Sequence, residues 1–185
     1  MKGAIIFLFF GLFGLNVALA QDDTPSFPVF ASVEEKIDSM ITFSTEFMGL
    51  KYRYGNNTPT GFDCSGFTGY IYSQFGYKLG RSASDQYRQG QEISVEHIRR
   101  GDLVFFRERN RNGTYRINHV GMVVSVDAAD GSFHFIHSCR RGVLIDHSTM
   151  EYYQRRFCGI RRIVESDAEF MKNEEDEKVY YQDND

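Results

Sequence analysis

The chain has 185 residues, of which 42% are hydrophobic and 25% charged, and its formal net charge at neutral pH is −4. These values are typical of a globular protein with room for one domain and little more. No strongly basic field argues for nucleic acid as a partner, and no internal repeat or low-complexity block is present.

The first twenty residues differ in composition from the rest of the chain. Residues 1–20 carry one charge, at Lys2, followed by an apolar run and an Ala-Leu-Ala triplet ahead of Gln21. This order predicts a signal peptide that is cleaved, so that the protein is exported to the periplasm or secreted and keeps no membrane span. An uncleaved anchor is the alternative, because the apolar run approaches the roughly 20 residues that span a bilayer.

Acidic residues are concentrated at the C-terminus. Residues 166–185 contain eight acidic side chains against two lysines, whereas residues 21–165 carry a net charge of +1. This composition predicts a solvated, disordered acidic tail over 166–185. Residues 21–31 include two of the three prolines and predict an extended linker. The folded domain is therefore expected at 32–165.

Helices are predicted in the first part of this domain. A capping-box pattern that starts at Ser32, followed by apolar residues at helical spacing, predicts a helix over 32–48. Asp63 is a good N-cap for a second helix over 64–74. A short third helix is expected at 82–89.

Strands are predicted in the second part. Short runs rich in Val, Ile and Phe alternate there with Gly, Asp and Asn, which is typical of β-strands. Because helices come first and strands follow, the sequence predicts an α+β fold with a mostly antiparallel sheet. The five predicted strands lie at 102–106, 119–126, 132–138, 142–146 and 157–164, with a brief helix at about 148–155.

The three cysteines are an odd number for an exported protein, so at least one should be free. Cys64 lies at the predicted N-terminus of the second helix, where backbone N–H groups and the helix dipole favour a nucleophilic thiolate. Asp63 opposes that effect, so an imidazolium would also be needed nearby. A buried structural cysteine is the alternative. The spacing of Cys and His is not that of a zinc site, and no metal is expected.

Two of the five histidines are candidates for the base. His119 begins an apolar strand that would fix its side chain, and Gly121 on that strand allows close backbone approach. His137 lies on the next predicted strand, so the two histidines are neighbours if the strands pair as a hairpin. His137 could then bond one ring nitrogen of His119 and leave the other towards Cys64. A pair of structural histidines is the alternative.

Six blocks of residues carry a resemblance to a known family. The blocks are Tyr52-Arg53-Tyr54-Gly55, Gly61-Phe62-Asp63-Cys64-Ser65-Gly66-Phe67, Arg81-Ser82-Ala83-Ser84-Asp85-Gln86, Arg100-Gly101-Asp102-Leu103-Val104-Phe105-Phe106, His119-Val120-Gly121 and Phe135-Ile136-His137-Ser138. In this order they resemble the NlpC/P60 family over nearly all of residues 45–164. That family consists of papain-like cysteine peptidases acting on cell-wall peptides. The resemblance implies a papain-like fold, with N-terminal helices packed on a sheet of five to six strands, and catalysis without a metal or organic cofactor.

The resemblance also assigns roles to individual residues. By the family pattern, Cys64 is the nucleophile, His119 the base and His137 the third, orienting residue. The hydroxyl of Tyr52 would lie at the oxyanion site with the backbone N–H of Cys64. The positions that match the family's substrate pocket are Asp63, Ser65, Arg81 and Ser82, and the first of these would suit a free α-amino group.

The implied function of domain 32–165 is hydrolysis of peptidoglycan stem peptides or muropeptides, at the γ-D-glutamyl–diamino acid bond that is usual in the family. Two alternatives stay open. The same residues could act on another acyl substrate, as in an amidase, an acyltransferase or an antibacterial toxin. The domain could also be a non-catalytic wall-binding module. The oligomeric state stays open as well.

Two features lie outside the family pattern. The segment 107–118 is a longer insertion with four arginines, which could be a flap that meets the carboxylates of a wall peptide or a solvated hairpin tip. Cys139 and Cys158 could form a disulfide, provided that their Cα atoms lie about 5.5 Å apart.

Overall fold

The structure is a computed structural model that describes residues 30–164. The predicted signal peptide, most of the predicted linker and the acidic tail lie outside these residues. In chain order the elements are α1 (Val33–Thr45), β1 (Asn57–Thr58), β2 (Gly61–Phe62), α2 (Cys64–Ser73), α3 (Ala83–Gln86), β3 (Gln91–Ile93), a 3-10 turn (Val95–His97), β4 (Leu103–Arg109), β5 (Tyr115–Val126), β6 (Phe133–Cys139), β7 (Gly142–His147), α4 (Glu151–Gln154) and β8 (Phe157–Arg162).

Six of the strands form one sheet in the order β3-β8-β4-β5-β6-β7, and every neighbouring pair is antiparallel. β1 and β2 form a separate small hairpin just before α2. The predicted α+β fold with a mostly antiparallel sheet is therefore confirmed. Between residues 30 and 164, no helix is long and apolar enough to cross a membrane.

Both faces of the central strands are covered by apolar side chains, which explains the continuous apolar run at the start of β4. Leu103 and Phe105 pack with α1 and α2 in the larger core. Val104 and Phe106 face the opposite side, where they pack with Phe135 and other aromatic residues in a smaller cluster. A strand buried on both faces shows an unbroken run of apolar residues instead of the alternation seen at a solvated face.

The start of α1 differs in one detail from the prediction. Ser32 Oγ accepts a hydrogen bond from the N–H of Glu35 at 3.2 Å, but the Glu35 carboxylate accepts from the N–H of Ala31 at 2.7 Å and not from Ser32. The cap is therefore shifted by one residue from a capping box. The regular helix also ends at Thr45, three residues before the predicted end.

The insertion at 107–118 extends the hairpin of β4 and β5 into solvent. The pairing register shifts after Phe106, so that Asn118 is an extra residue on β5 and forms a β-bulge. At the tip, Arg109 Nε donates to the Gly113 carbonyl at 2.9 Å. The segment thus forms an ordered exposed hairpin, with its bulge next to His119.

Cys64, Cys139 and Cys158 all lie within residues 30–164, and none of them is disulfide-bonded there. Cys139 ends β6 and Cys158 lies on β8, and two strands, β4 and β5, separate them in the sheet. With strands ~4.8 Å apart, three strand intervals give a separation of roughly 14 Å. That distance exceeds the reach of a disulfide, so the pairing left open by the sequence is not formed.

The turn into β4 is held by a buried carboxylate. Asp102 is 1% exposed. Its two oxygens accept from Arg162 Nε at 2.8 Å and Nη2 at 2.9 Å, and Oδ2 also accepts from the N–H of Arg99 at 2.9 Å. This contact joins the beginning of β4 to the end of β8.

Replacing Asp102 by Ala should lower the free energy of unfolding by about 3–5 kcal/mol, because Arg162 would lose its anionic partner in a largely buried place. Chemical denaturation followed by circular dichroism measures the loss. The matched control is Asp38→Ala, which removes an ion pair with Arg100 from a side chain that is 58% exposed and should cost less than about 1 kcal/mol. Equal losses in the two variants would contradict the assignment.

Candidate active site

Cys64 is buried at the first position of α2, as predicted. Asp63 is the N-cap, and its Oδ1 accepts from the N–H of Gly66 at 2.7 Å. The Cys64 thiol donates to the carbonyl of Asn118 in the β5 bulge, with Sγ and O 3.7 Å apart. The thiol therefore lies where the start of α2 meets the beginning of the apolar part of β5.

The electrostatics at Cys64 differ from the expectation of a thiolate favoured by the helix terminus. Burial and the charge of Asp63 raise the pKa of the Cys64 thiol to about 11, although backbone N–H groups, including that of Val120, favour the anion. Desolvation outweighs the helix terminus here. The thiol is therefore protonated at neutral pH in the free protein and needs a base to react.

His119 and His137 are hydrogen-bonded to each other, with His119 Nε2 and His137 Nδ1 2.8 Å apart. They lie on the paired strands β5 and β6, as the hairpin prediction requires. Gly121 permits the close approach of β6, since a Cβ there would lie 2.7 Å from the ring of Phe135 and 3.1 Å from the Cβ of His137. Burial lowers the pKa of both imidazoles below 6.5, so both are neutral at neutral pH.

Asp146 on β7 extends this row of hydrogen-bonded side chains and was not among the residues predicted from the sequence. His137 pairs with Leu144 across β6 and β7, and Asp146 pairs with Phe135 two positions further along, so Asp146 lies on the same face as His137. Asp146 Oδ2 lies 3.1 Å from His137 Nε2 and accepts from the Tyr153 hydroxyl at 2.6 Å. The register of β6 and β7, set by the tight turn at 140–141, was the signal that could have revealed this contact.

Tyr52 lies beside Cys64, because its backbone bridges to Phe62 immediately before the start of α2. Burial raises the pKa of the Tyr52 hydroxyl, and the charges of Asp63 and of Cys64 in its ionised form act in the same direction. The hydroxyl is therefore protonated at neutral pH and able to donate a hydrogen bond.

Two cavities of about 550 and 590 Å³ share Tyr52 and Asn118 as lining residues and form the two halves of one groove. Cys64 lines the first half and His119 the second. The first half is also lined by all four residues predicted to bind substrate, Asp63, Ser65, Arg81 and Ser82. The structure thus gathers every predicted site residue except the buried His137 along this groove.

The predicted substrate residues already bond to one another. Arg81 Nη1 and Nη2 donate to Asp63 Oδ1 and Oδ2 at 3.1 and 2.6 Å. Asp63 Oδ2 also accepts from the N–H of Gly55 at 2.9 Å. The Asp63 charge is thus paired, and a substrate ammonium would have to share it with Arg81. The Ser82 hydroxyl likewise bonds to Asp85, at the N-cap of α3.

Two other arginines at the groove have no ion-pair partner among residues 30–164. Arg116, the one arginine of the insertion that lines the groove, belongs to the first half. Arg140, in the turn between β6 and β7, belongs to the second half and is close enough to Tyr52 to lower the pKa of its hydroxyl, against the larger raising effects. Each half of the groove therefore presents an exposed cation.

Curated relatives match most of the described chain. The γ-D-glutamyl-L-lysine dipeptidyl-peptidase of Bacillus subtilis (strain 168) is 33% identical over 127 residues, which are 68% of this chain and 40% of the relative. The protein named murein DD-endopeptidase MepS/murein LD-carboxypeptidase in Escherichia coli (strain K12) is 34% identical over 121 residues, 64% of this chain and 58% of the relative. The chain thus spans between two fifths and three fifths of the length of these relatives.

Solved structures of similar fold also match most of the described residues. An NlpC/P60 family protein from Bacillus cereus superposes with a TM-score of 0.63 and 32% identity, covering 76% of this chain and 42% of the other. NlpC1 from Trichomonas vaginalis gives a TM-score of 0.60 and 27% identity, covering 72% and 45%. The model of the NlpC/P60 family matches residues 49–162, more than half of the sequence. The chain therefore belongs to the NlpC/P60 family.

Proposed function

We propose that this protein is an exported cysteine peptidase that hydrolyses peptidoglycan stem peptides or muropeptides. Cys64 is the nucleophile, His119 the base and His137 the residue that orients His119. The observation that carries the proposal is the 2.8 Å hydrogen bond between the two histidines, at the groove that Cys64 also lines. Relatives named as murein endopeptidases and γ-D-glutamyl peptidases support the class of substrate.

The proposed reaction starts from a neutral thiol and a neutral imidazole. His119 takes the thiol proton as the sulfur of Cys64 attacks the carbonyl carbon of the substrate. The N–H of Cys64 and the hydroxyl of Tyr52 stabilise the oxyanion that forms. His119 then passes its proton to the leaving amine and removes a proton from the water that hydrolyses the thioester. It returns that proton to the Cys64 sulfur as the sulfur leaves, so that the free enzyme again holds a neutral thiol and a neutral imidazole.

The charges of the groove suit an acidic peptide. Stem peptides of peptidoglycan carry free carboxylates on both sides of the γ-D-glutamyl–diamino acid bond. Arg116 and Arg140, one in each half of the groove, are positioned to bind these carboxylates. The Asp63–Arg81 pair in the first half adds no net charge of its own, and the Glu108 carboxylate in the second half lies 4.0 Å from the Arg156 guanidinium.

The decisive experiment maps the bond that is cleaved. The chain from residue 21 onwards is incubated with defined muropeptides, both an uncrosslinked stem peptide and a crosslinked dimer, and the products are analysed by mass spectrometry. We expect cleavage between γ-D-glutamate and the diamino acid. Separation of the dimer into intact stems would favour the DD-endopeptidase activity for which the Escherichia coli relative is named. Release of the whole stem from the sugar would indicate an amidase.

Catalysis by Cys64 is tested in the same assay. Cys64→Ala should lower kcat/KM by a factor of about 10⁴ or more, since the nucleophile is lost. Cys158→Ala is the matched control, because Cys158 is a partly buried cysteine on β8 away from the groove, and it should keep the wild-type rate. Unchanged turnover by Cys64→Ala would contradict the mechanism. Binding to cell walls without any turnover by the wild type would favour the wall-binding module instead.

The pH dependence follows from the neutral histidines. Protonation of His119 removes the base, and burial lowers its pKa below 6.5, so kcat/KM should stay high at pH 6.5 and fall only at more acidic pH. A rate profile from pH 4 to 8 measures this limb. Folding must be followed in parallel, because histidines with lowered pKa values make the folded state less stable as pH falls below 6.5. Half-maximal kcat/KM at pH 6.5 or above would contradict the neutral pair.

Export is tested separately from catalysis. When the full chain is expressed in a bacterial host that has a periplasm, we expect the protein in the periplasmic fraction with Gln21 as its N-terminal residue. Deleting residues 1–20 should leave the protein in the cytoplasm. Recovery of the full chain from the membrane, with Met1 still present, would support the anchor and contradict cleavage.

A further inference from the structure

We propose that Asp146 is a positioning residue that acts through His137 to decide which ring nitrogen of His119 accepts the proton of Cys64. The inference rests on the proposed function for the part that concerns catalysis, and on geometry for the part that concerns the histidines. Asp146 does not touch the groove half that Cys64 lines, so its role is indirect.

Asp146 is buried beside three groups that stabilise its ionised form. Burial opposes ionisation, but the hydrogen bond from Tyr153, the adjacent His137 and the Arg141 guanidinium together lower the pKa of this carboxyl. Arg141 pairs with Asp146 Oδ2 directly. These are the titratable or charged groups that contact the carboxyl, and Asp146 is therefore an anion at neutral pH.

The ionised Asp146 determines which ring nitrogen of His137 carries the proton. A carboxylate has no hydrogen to donate, so the 3.1 Å contact with Asp146 requires a proton on His137 Nε2. His137 is fully buried and neutral at neutral pH, so it carries only that one proton. Its Nδ1 atom is consequently a bare acceptor.

The protonation of His137 in turn determines which ring nitrogen of His119, the base, carries a proton. His137 Nδ1 accepts from His119, which places the single proton of neutral His119 on Nε2. His119 Nδ1 then has a free lone pair. It is the one nitrogen of the ring left to take a proton from Cys64, so the carboxylate on β7 sets the tautomer of the base on β5.

The Tyr153 hydroxyl is a second possible hydrogen-bond partner for His137, and Asp146 keeps it from donating to that ring. The hydroxyl lies 3.4 Å from His137 Nε2, but it donates to Asp146 at 2.6 Å. Without the carboxylate, this hydroxyl could donate to His137 Nε2 and reverse the direction of every bond in the chain. His119 would then carry its proton on Nδ1 and could not accept the proton of Cys64.

The first test observes the histidines directly. Nitrogen NMR of the ¹⁵N-labelled wild-type protein at pH 7 distinguishes protonated from bare ring nitrogens. We expect His119 and His137 to carry their protons on Nε2, with Nδ1 bare. In Asp146→Asn, whose side-chain amide can donate to His137, the proton of His119 should move to Nδ1. A wild-type protein with its proton on His137 Nδ1 would overturn the proposal.

The second test measures turnover. Asp146→Asn should lower kcat by about 100-fold with little change in KM, as outer residues that orient a functional imidazole commonly do. The acid limb of kcat/KM should also move to lower pH, because the Asp146 charge raises the pKa of both imidazoles and the variant lacks it. Asp130→Asn, the same change in an exposed turn, is the matched control and should alter neither quantity.

The outcomes separate this proposal from the proposed function. A folded Asp146→Asn variant with kcat within twofold of wild type and an unmoved acid limb would overturn the role of Asp146 while leaving the peptidase intact. If the wild type cleaves no muropeptide, the proposed function fails, and the NMR experiment still decides the tautomers. If Asp146→Asn does not fold, the wild-type spectrum alone supports or overturns the assignment.

Discussion

The carboxylate of Asp63 joins the segments from which the groove is built. It closes the N-terminus of α2, pairs with Arg81 ahead of α3 and accepts from Gly55 in the loop after Tyr52. Of these three donors, the N–H of Gly66 lies at the buried start of α2 and would otherwise be left without a partner there. The position of Cys64 follows, because it is the next residue after this anchored carboxylate.

The Asp63 carboxylate positions Cys64 but also disfavours ionisation of the Cys64 thiol. A negative charge next to Cys64 disfavours a thiolate, and burial acts in the same direction, so the terminus of α2 alone does not activate the sulfur. As a result, the Cys64 thiol and the imidazoles of His119 and His137 are all neutral before substrate binds. Neutral groups are less costly to bury than an ion pair, so the site avoids charge separation until a substrate carbonyl can accept the sulfur's electrons.

The sequence predicts those parts of the site whose geometry is local. Asp63 and Cys64 are adjacent in the chain, and a helix cap fixes their relation. His119 and His137 belong to consecutive strands, so hairpin pairing and strand parity suffice to bring them together. The role of Gly121 could be predicted for the same reason, since a glycine on a paired strand permits close approach of the neighbouring backbone.

The role of Asp146, the bulge at Asn118 and the protonation state of Cys64 could not be predicted from the spacing of apolar residues in the sequence. Asp146 required the exact pairing of β6 with β7, because a shift of one residue would place it on the other face. The bulge at Asn118 leaves no signal in the run of residues around it. The state of Cys64 depended on the balance of two opposing effects, and their relative size follows from burial that only the folded structure defines.

The row of hydrogen-bonded side chains from His119 through His137 ends on Asp146, a carboxylate that pairs with an exposed arginine. One side chain from each of three consecutive strands, β5, β6 and β7, lies in the row, and the rigid sheet holds them at hydrogen-bond distance. A buried chain of this kind must end on a group whose own bonds are satisfied. Asp146 meets this condition through Tyr153 and through Arg141, whose side chain is 58% exposed. Because the cation stays largely in water, only one of the two charges is desolvated, and the cost of a fully buried ion pair is avoided.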